Sequence, residues 1–155
     1  MIVFSLTETF KSGLRTLALL AENSGESPVP ISEMTQAIGL SDKSLEQLLM
    51  SLRRADLVRS VRGANGGFLL ARPASKISLK DVLTALQGPI RLCDCHQDDC
   101  RDCLRPEVWK ALEMCFEGTL ASITLAHLIS GEAFQILPHS VVLPDSPLWQ
   151  EGAGI

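Results

Sequence analysis

Four of the chain's five cysteines fall within eleven residues, CDCHQDDCRDC at 93–103, with the spacing C-x-C-x-x-x-x-C-x-x-C. Thiolates are soft ligands, and a set of four suits zinc or an iron–sulfur cluster. Free thiols in a polar loop are open to oxidation, so their concentration here asks for a use. Cys93, Cys95, Cys100 and Cys103 are the candidate metal ligands, with His96 between them as a further nitrogen donor or a solvent-facing side chain. Four thiolates would close a tetrahedral zinc site, although the spacing is not that of paired knuckles. Asp94, Asp98, Asp99 and Asp102 crowd negative charge around any tetrathiolate, an objection that weighs equally on zinc and on a cluster. No Ser/His/Asp or paired-carboxylate arrangement accompanies the thiols, so the chain is not expected to be an enzyme. The RGANGG turn at 62–67 lacks the Lys-Ser/Thr ending of a phosphate loop.

The segments on either side must position this loop. Upstream, Phe10, Leu14, Leu17, Ala18 and Ala21 recur at helical spacing, so an amphipathic helix is expected over 6–22, with Ser5 and Glu8 at capping-box spacing. A short helix at about 32–38 should stop at Gly39. Ser41 can cap the next, whose Leu45, Leu48, Leu49 and Leu52 fall at i, i+3, i+4, i+7. Two such helices around a tight turn read as a helix-turn-helix. LVRSVRGANGGFLLA at 57–71 then reads as a β-hairpin, the wing, with Gly63, Asn65, Gly66 and Gly67 supplying positive φ. Ser78 and Asp81 open another short helix, ended by Gly88-Pro89.

Downstream of the cysteines, Pro106 and Glu107 suit the first turn of a long helix over 105–122, continued over 124–129. Val108, Leu112, Cys115, Thr119 and Ile123 lie on one stripe, widened by Trp109, Phe116 and Leu120. That stripe is too broad for one small domain to cover. It reads as a dimerisation surface built on Val108, Trp109, Leu112, Phe116, Leu120 and Ile123, with Cys115 buried in it. His127 and His139 belong to no constellation and are expected at the surface.

The fold class that follows is mainly α with a small β-hairpin: a winged helix-turn-helix over 1–88, a cysteine loop over 89–104, a dimerisation helix over 105–130 and a tail over 131–155. With 155 residues, 46% of them hydrophobic, the chain can bury a core without covalent staples. No apolar run approaches the roughly 20 residues of a membrane span, and the N-terminus has no signal-peptide pattern. A cytoplasmic location is expected, and that reducing compartment favours metal or redox use of clustered cysteines over disulfides. The net charge is −4, yet residues 41–80 carry eight basic residues against three acids. A basic segment in an acidic chain marks an electropositive face for double-stranded DNA. Lys43, Ser44 and Gln47 would read base edges from the recognition helix. Arg62 would enter the minor groove from the wing, and Arg53, Arg54 and Arg59 would touch phosphates.

The residues SLEQLLMSLRRADLVRSVRGANGGFLLARPASKISLKDVLTALQGPI at 44–90, CLRPEVW at 103–109 and SITLAHLI at 122–129, with a cysteine loop between, resemble the IscR/NsrR (Rrf-two) family of iron–sulfur transcription regulators. The resemblance covers roughly residues 5–130 and is nearest to members that regulate cluster assembly. It implies a homodimer with a crossed dimerisation helix and operator binding controlled by a 2Fe–2S or 4Fe–4S cluster. It also implies three loop cysteines plus one further ligand. Two departures stand out. This chain has four tightly spaced cysteines, and Pro106 replaces the histidine that some members carry three positions after the last cysteine. The further ligand then comes from the extra cysteine, from His96, or from the partner's first helix. There some relatives carry an acid near the position of Lys11, which cannot serve as one, and Glu8 lies one turn away. Alternatives are a DNA-binding regulator with zinc or a thiol switch in place of the cluster, and a small cluster carrier or electron-transfer protein.

Overall fold

The computed structural model describes residues 7–23, 27–63, 65–92 and 106–130. Its elements run α1 (Glu8–Glu22), α2 (Ile31–Ile38), α3 (Asp42–Arg54), β1 (Val58–Val61), β2 (Gly67–Leu70), a 3-10 turn (Ala74–Lys76), α4 (Leu79–Gln87), α5 (Pro106–Ser122) and α6 (Leu125–Ser130). The chain is thus mainly helical with one two-stranded antiparallel hairpin.

Local chemistry sets the helix ends. Thr7 caps α1, its hydroxyl accepting the Phe10 N–H at 3.3 Å. The helix therefore starts two residues later than the sequence suggests, and Glu8 sits in its first turn instead of closing a capping box. Ser5, the expected partner, lies outside the described residues. Ser41 caps α3 by accepting the Ser44 N–H, and Gly39 closes α2 at φ +76°. At α4 the reciprocal box forms: Ser78 Oγ accepts from Asp81 N–H at 3.1 Å, and Asp81 Oδ2 accepts from Ser78 N–H at 3.0 Å.

The core collects one face of each element. Phe10, Leu17 and Leu20 of α1 meet Met34 of α2, Leu45, Leu48, Leu49 and Leu52 of α3, and Val82 and Leu83 of α4. Burial of one fully enclosed aliphatic side chain contributes roughly 1.5–3 kcal/mol, so the leucine face of α3 alone is a major share of the fold's stability. Thr16, buried among them, donates its hydroxyl to the Ser12 carbonyl at 2.8 Å and leaves no polar atom unpaired.

The path from α3 into the wing passes through Asp56, at φ +54°. Its left-handed conformation lets the Leu57 N–H reach back to the Leu52 carbonyl at 3.0 Å, closing the helix end and aiming β1. The hairpin pairs Val58 with Leu70 and Val61 with Gly67. Val29 adds an antiparallel bridge on the far side of β2, exchanging two backbone hydrogen bonds of 2.9 Å with Phe68.

The wing glycines are used differently from the sequence expectation. Gly63 does take positive φ, +124°, but Gly66 and Gly67 do not. Gly67 is needed for room: a Cβ there would lie 2.3 Å from the Val29 carbonyl oxygen. The bridge that presses Val29 against the hairpin leaves no space for a side chain.

The end of the described chain returns to the beginning of α4. Thr124 bridges Ser78, Leu79 N–H donates to the Ile123 carbonyl and Leu125 N–H to the Ile77 carbonyl, both at 2.8 Å. Ile123 and Leu125 are buried. Ile123, assigned from its stripe to the dimer surface, is instead consumed by the protomer's own core. The stripe's helical spacing does not survive the break between α5 and α6. His127 also departs from expectation. It is half-buried and caps α6, its Nδ1 accepting the Thr124 N–H at 3.2 Å while its own N–H donates to Thr124 Oγ1 at 3.4 Å. Cys115 is half-buried and unpaired, not fully enclosed.

Candidate nucleic-acid interface

The inner face of α3 is spent on the core, so its outer face is what it offers. Lys43, Ser44 and Gln47 are exposed on the first half of that face, and Arg53 and Arg54 are exposed in the last turn. Cations at a helix C-terminus complement its partial negative charge, which holds the arginines' charge where α3 meets the wing. Arg59 is exposed on β1, and Arg62 is exposed where β1 gives way to the turn at Gly63. All seven side chains are exposed, as are the acids Asp42 and Glu46 of α3.

A groove of about 350 Å3 runs beside this face, between α1 and α3, lined among others by Glu8, Ser12, Ser44, Gln47 and Leu86. It brings Glu8 and two of the expected base-reading residues together, a proximity the sequence does not signal because α1 and α3 are 20 residues apart. Glu8 is exposed and accepts from Lys11 Nζ at 2.8 Å. That hydrogen bond, followed by the ammonium charge, holds its carboxyl below the usual carboxylate range.

The candidate metal ligands Cys93, Cys95, Cys100, Cys103 and His96 lie outside the described residues, as does the tail from 131. Among the described residues no group of three or more His, Cys, Asp or Glu side chains could hold a metal ion. The described residues at either end fix where the cysteine segment leaves and rejoins the fold. It leaves at Leu92, whose N–H donates to Glu113 Oε1 of α5 at 2.6 Å. A carboxylate acceptor makes this a charge-assisted bond. It rejoins at Pro106, the start of α5, seven residues or roughly 10 Å of helix rise from Glu113. One turn beyond Glu113, Glu117 accepts from Lys80 of α4 at 2.9 Å. Neither Glu113 nor Glu117 carries a motif that would have revealed these contacts.

Several large apolar side chains of α5 are open to solvent. Val108, Trp109, Leu112 and Phe116 are 38–43% exposed, and Leu120 is half-buried against the core. No described helix is long and apolar enough to cross a membrane.

Comparison with known proteins agrees with this architecture. The model of a family described as Rrf2, iron-dependent transcriptional regulator, matches residues 6–131. The HTH-type transcriptional regulator IscR of Sodalis glossinidius is 35% identical over 131 residues, covering 82% of this chain and 79% of that one. The structure of CymR, the global cysteine regulator of B. subtilis, superposes with a TM-score of 0.69 at 32% identity, covering 83% of this chain and 98% of that one. T. potens IscR superposes with a TM-score of 0.66 at 32% identity, covering 86% and 92%.

Proposed function

The chain belongs to the Rrf2 family of iron-dependent transcriptional regulators, and on that premise we propose that it is a cytoplasmic, homodimeric repressor whose operator affinity is set by an iron–sulfur cluster. It is a helix-turn-helix transcription regulator of winged-helix fold and not an enzyme. Lys43, Ser44 and Gln47 read base edges in the major groove, Arg62 reaches the minor groove, and Arg53, Arg54 and Arg59 hold phosphates. Val108, Trp109, Leu112, Phe116 and Leu120 meet their counterparts in a second copy.

One observation carries the regulatory part: the cysteine segment leaves the fold at a backbone N–H clasped by Glu113 of α5. The same helix pairs with α4 through Glu117 and Lys80. The donor set fits a cluster, since four thiolates within eleven residues match the softness of iron–sulfur centres. Cys93, Cys100 and Cys103 are the first choice, with Cys95, His96 or the partner copy's first-helix acid at the position of Glu8 completing the set. A bound cluster would supply a redox centre sensitive to iron supply, oxygen and nitric oxide. The protein's part is to hold the loop against α5 and so favour one arrangement of the two reading heads.

Anaerobic purification with iron and sulfide assays, an absorption spectrum and DNA binding before and after cluster removal tests this. Brown protein is expected, with absorbance lost in at least three of the single Cys→Ala variants at 93, 95, 100 and 103. Colourless protein whose DNA affinity still responds to thiol oxidation supports a second reading, a cysteine-responsive switch without a cluster. The likeness to the B. subtilis cysteine regulator favours that reading.

A further inference from the structure

We infer that the cleft between the last turn of α3 and the first turns of α4 is a binding site for a phosphate-type oxyanion. Ser51, Arg54, Arg72, Lys80, Asp81 and Thr84 line about 480 Å3 of space there. Three of these six are cationic and one is anionic. The single acid, Asp81, leaves a net charge of +2 on these lining side chains, and its Oδ2 is held in the α4 capping box by the Ser78 N–H at 3.0 Å. Arg72 Nη2 approaches that same oxygen at only 3.5 Å.

Arg72 is the key group. Its Nε is buried and has no hydrogen-bond acceptor. Buried donors without a partner are rare, because desolvating one gains nothing unless an acceptor replaces water. The side chain as a whole is 35% exposed and lines the cleft, so its guanidinium is within reach of a ligand there. That edge presents paired N–H donors whose fork matches two oxygens of a phosphate group. Arg54 stands exposed on the α3 side. Lys80 adds a compact charge on the α4 side and, among the described residues, pairs with Glu117 at 2.9 Å with both side chains partly exposed. Three converging cations suit a dianion better than a single carboxylate. An anion here also competes with Glu117 for Lys80, so occupancy would loosen the tie between α4 and α5.

The phosphate group can come from a small molecule or from a DNA backbone, and the two are separable. The full-length protein is titrated with pyrophosphate, without DNA, at constant ionic strength set by chloride, while NMR follows the Arg72 Nε–H signal and the Thr84 amide. A saturable shift is expected, weakened at least tenfold in Arg72→Gln and several-fold in Lys80→Gln. The second variant leaves the α4 cap alone and guards against a folding defect in the first. A random-sequence 24-base-pair duplex at low salt is then added. If the duplex moves the same signals and pyrophosphate displaces it, the source is the backbone. If the duplex leaves them unmoved while pyrophosphate still titrates, the source is a free anion. Signals that move no more than in chloride, with both probes, overturn the site. The pyrophosphate arm contains no DNA, so its failure is distinct from a failure of operator binding.

Discussion

Helices α3 and α5 each show the solvent a face, and the two faces are opposites. The inner side of α3 is closed: Leu45, Leu48, Leu49 and Leu52 are all at most 5% exposed, and what remains outside is polar and charged apart from Met50. Within one protomer α5 has no comparably closed side among its described residues. Its acids Glu113 and Glu117 turn to Leu92 and Lys80, while Trp109, Leu112, Met114 and Phe116 stay open to solvent. A finished helix with a charged exterior suits a polyanion. An apolar exterior on an otherwise well-packed chain suits a protein partner.

The largest expected effect breaks the α5 half of this contrast. Leu112→Asp should weaken self-association by about 3–5 kcal/mol, the cost of an uncompensated charge at a buried interface, and leave a folded monomer. Light scattering at micromolar concentration checks it; an unaltered mass would show that this face is not the contact.

Leu45→Ala probes the closed side of α3. It should lower stability by about 2–5 kcal/mol in denaturant unfolding, from lost burial and a residual cavity, without changing the assembly of the folded fraction.

Glu113→Ala sharpens the account of the inner side of α5. It removes a hydrogen bond to a charged group, on the order of 1.5–3 kcal/mol. Faster bleaching of the reconstituted cluster under air is expected, with partial recovery in Glu113→Gln.

On the outer face, Arg62→Ala should cost about 1–3 kcal/mol of specific DNA binding. Arg54→Ala should instead weaken all sequences alike and reduce the salt slope by about one. Gel shifts over a salt series on specific and mixed-sequence duplexes separate the two, and identical behaviour would erase the distinction between readers and phosphate holders.

The smallest effect concerns the end of α3. Asp56→Gly should raise the unfolding midpoint slightly, by less than about 1 kcal/mol in stability, because a left-handed residue with a Cβ carries strain that glycine lacks.

What the sequence made legible was local. The leucine spacing of α3, the caps at Ser41 and Ser78 and the stop at Gly39 follow from contacts within four residues, and each appears as expected. What it concealed was long-range. Ile123 looks like one more stripe residue until the Leu79 backbone claims its carbonyl. Gly67 looks like a flexible turn residue until Val29 presses against it. His127 looks idle until Thr124 donates to it. The basic cleft was equally hidden, because Arg54, Arg72 and Lys80 belong to three separate segments. Lys43, Ser44 and Gln47, expected to read bases, are exposed on α3.

The return of residues 123–125 to α4 has a mechanical consequence. Near its middle α5 is fastened through Glu113 and Glu117, and just past its end through Ile123 and Leu125. A rod pinned at two points turns less freely on its housing than one pinned at a single point. Its orientation is inherited by whatever the rod abuts. If two such chains pair through α5 as proposed, the separation of the two reading heads would follow the angle between the paired rods. A signal that never touches DNA would then act by altering that angle, because two heads bind one duplex together only when their spacing matches its helical repeat.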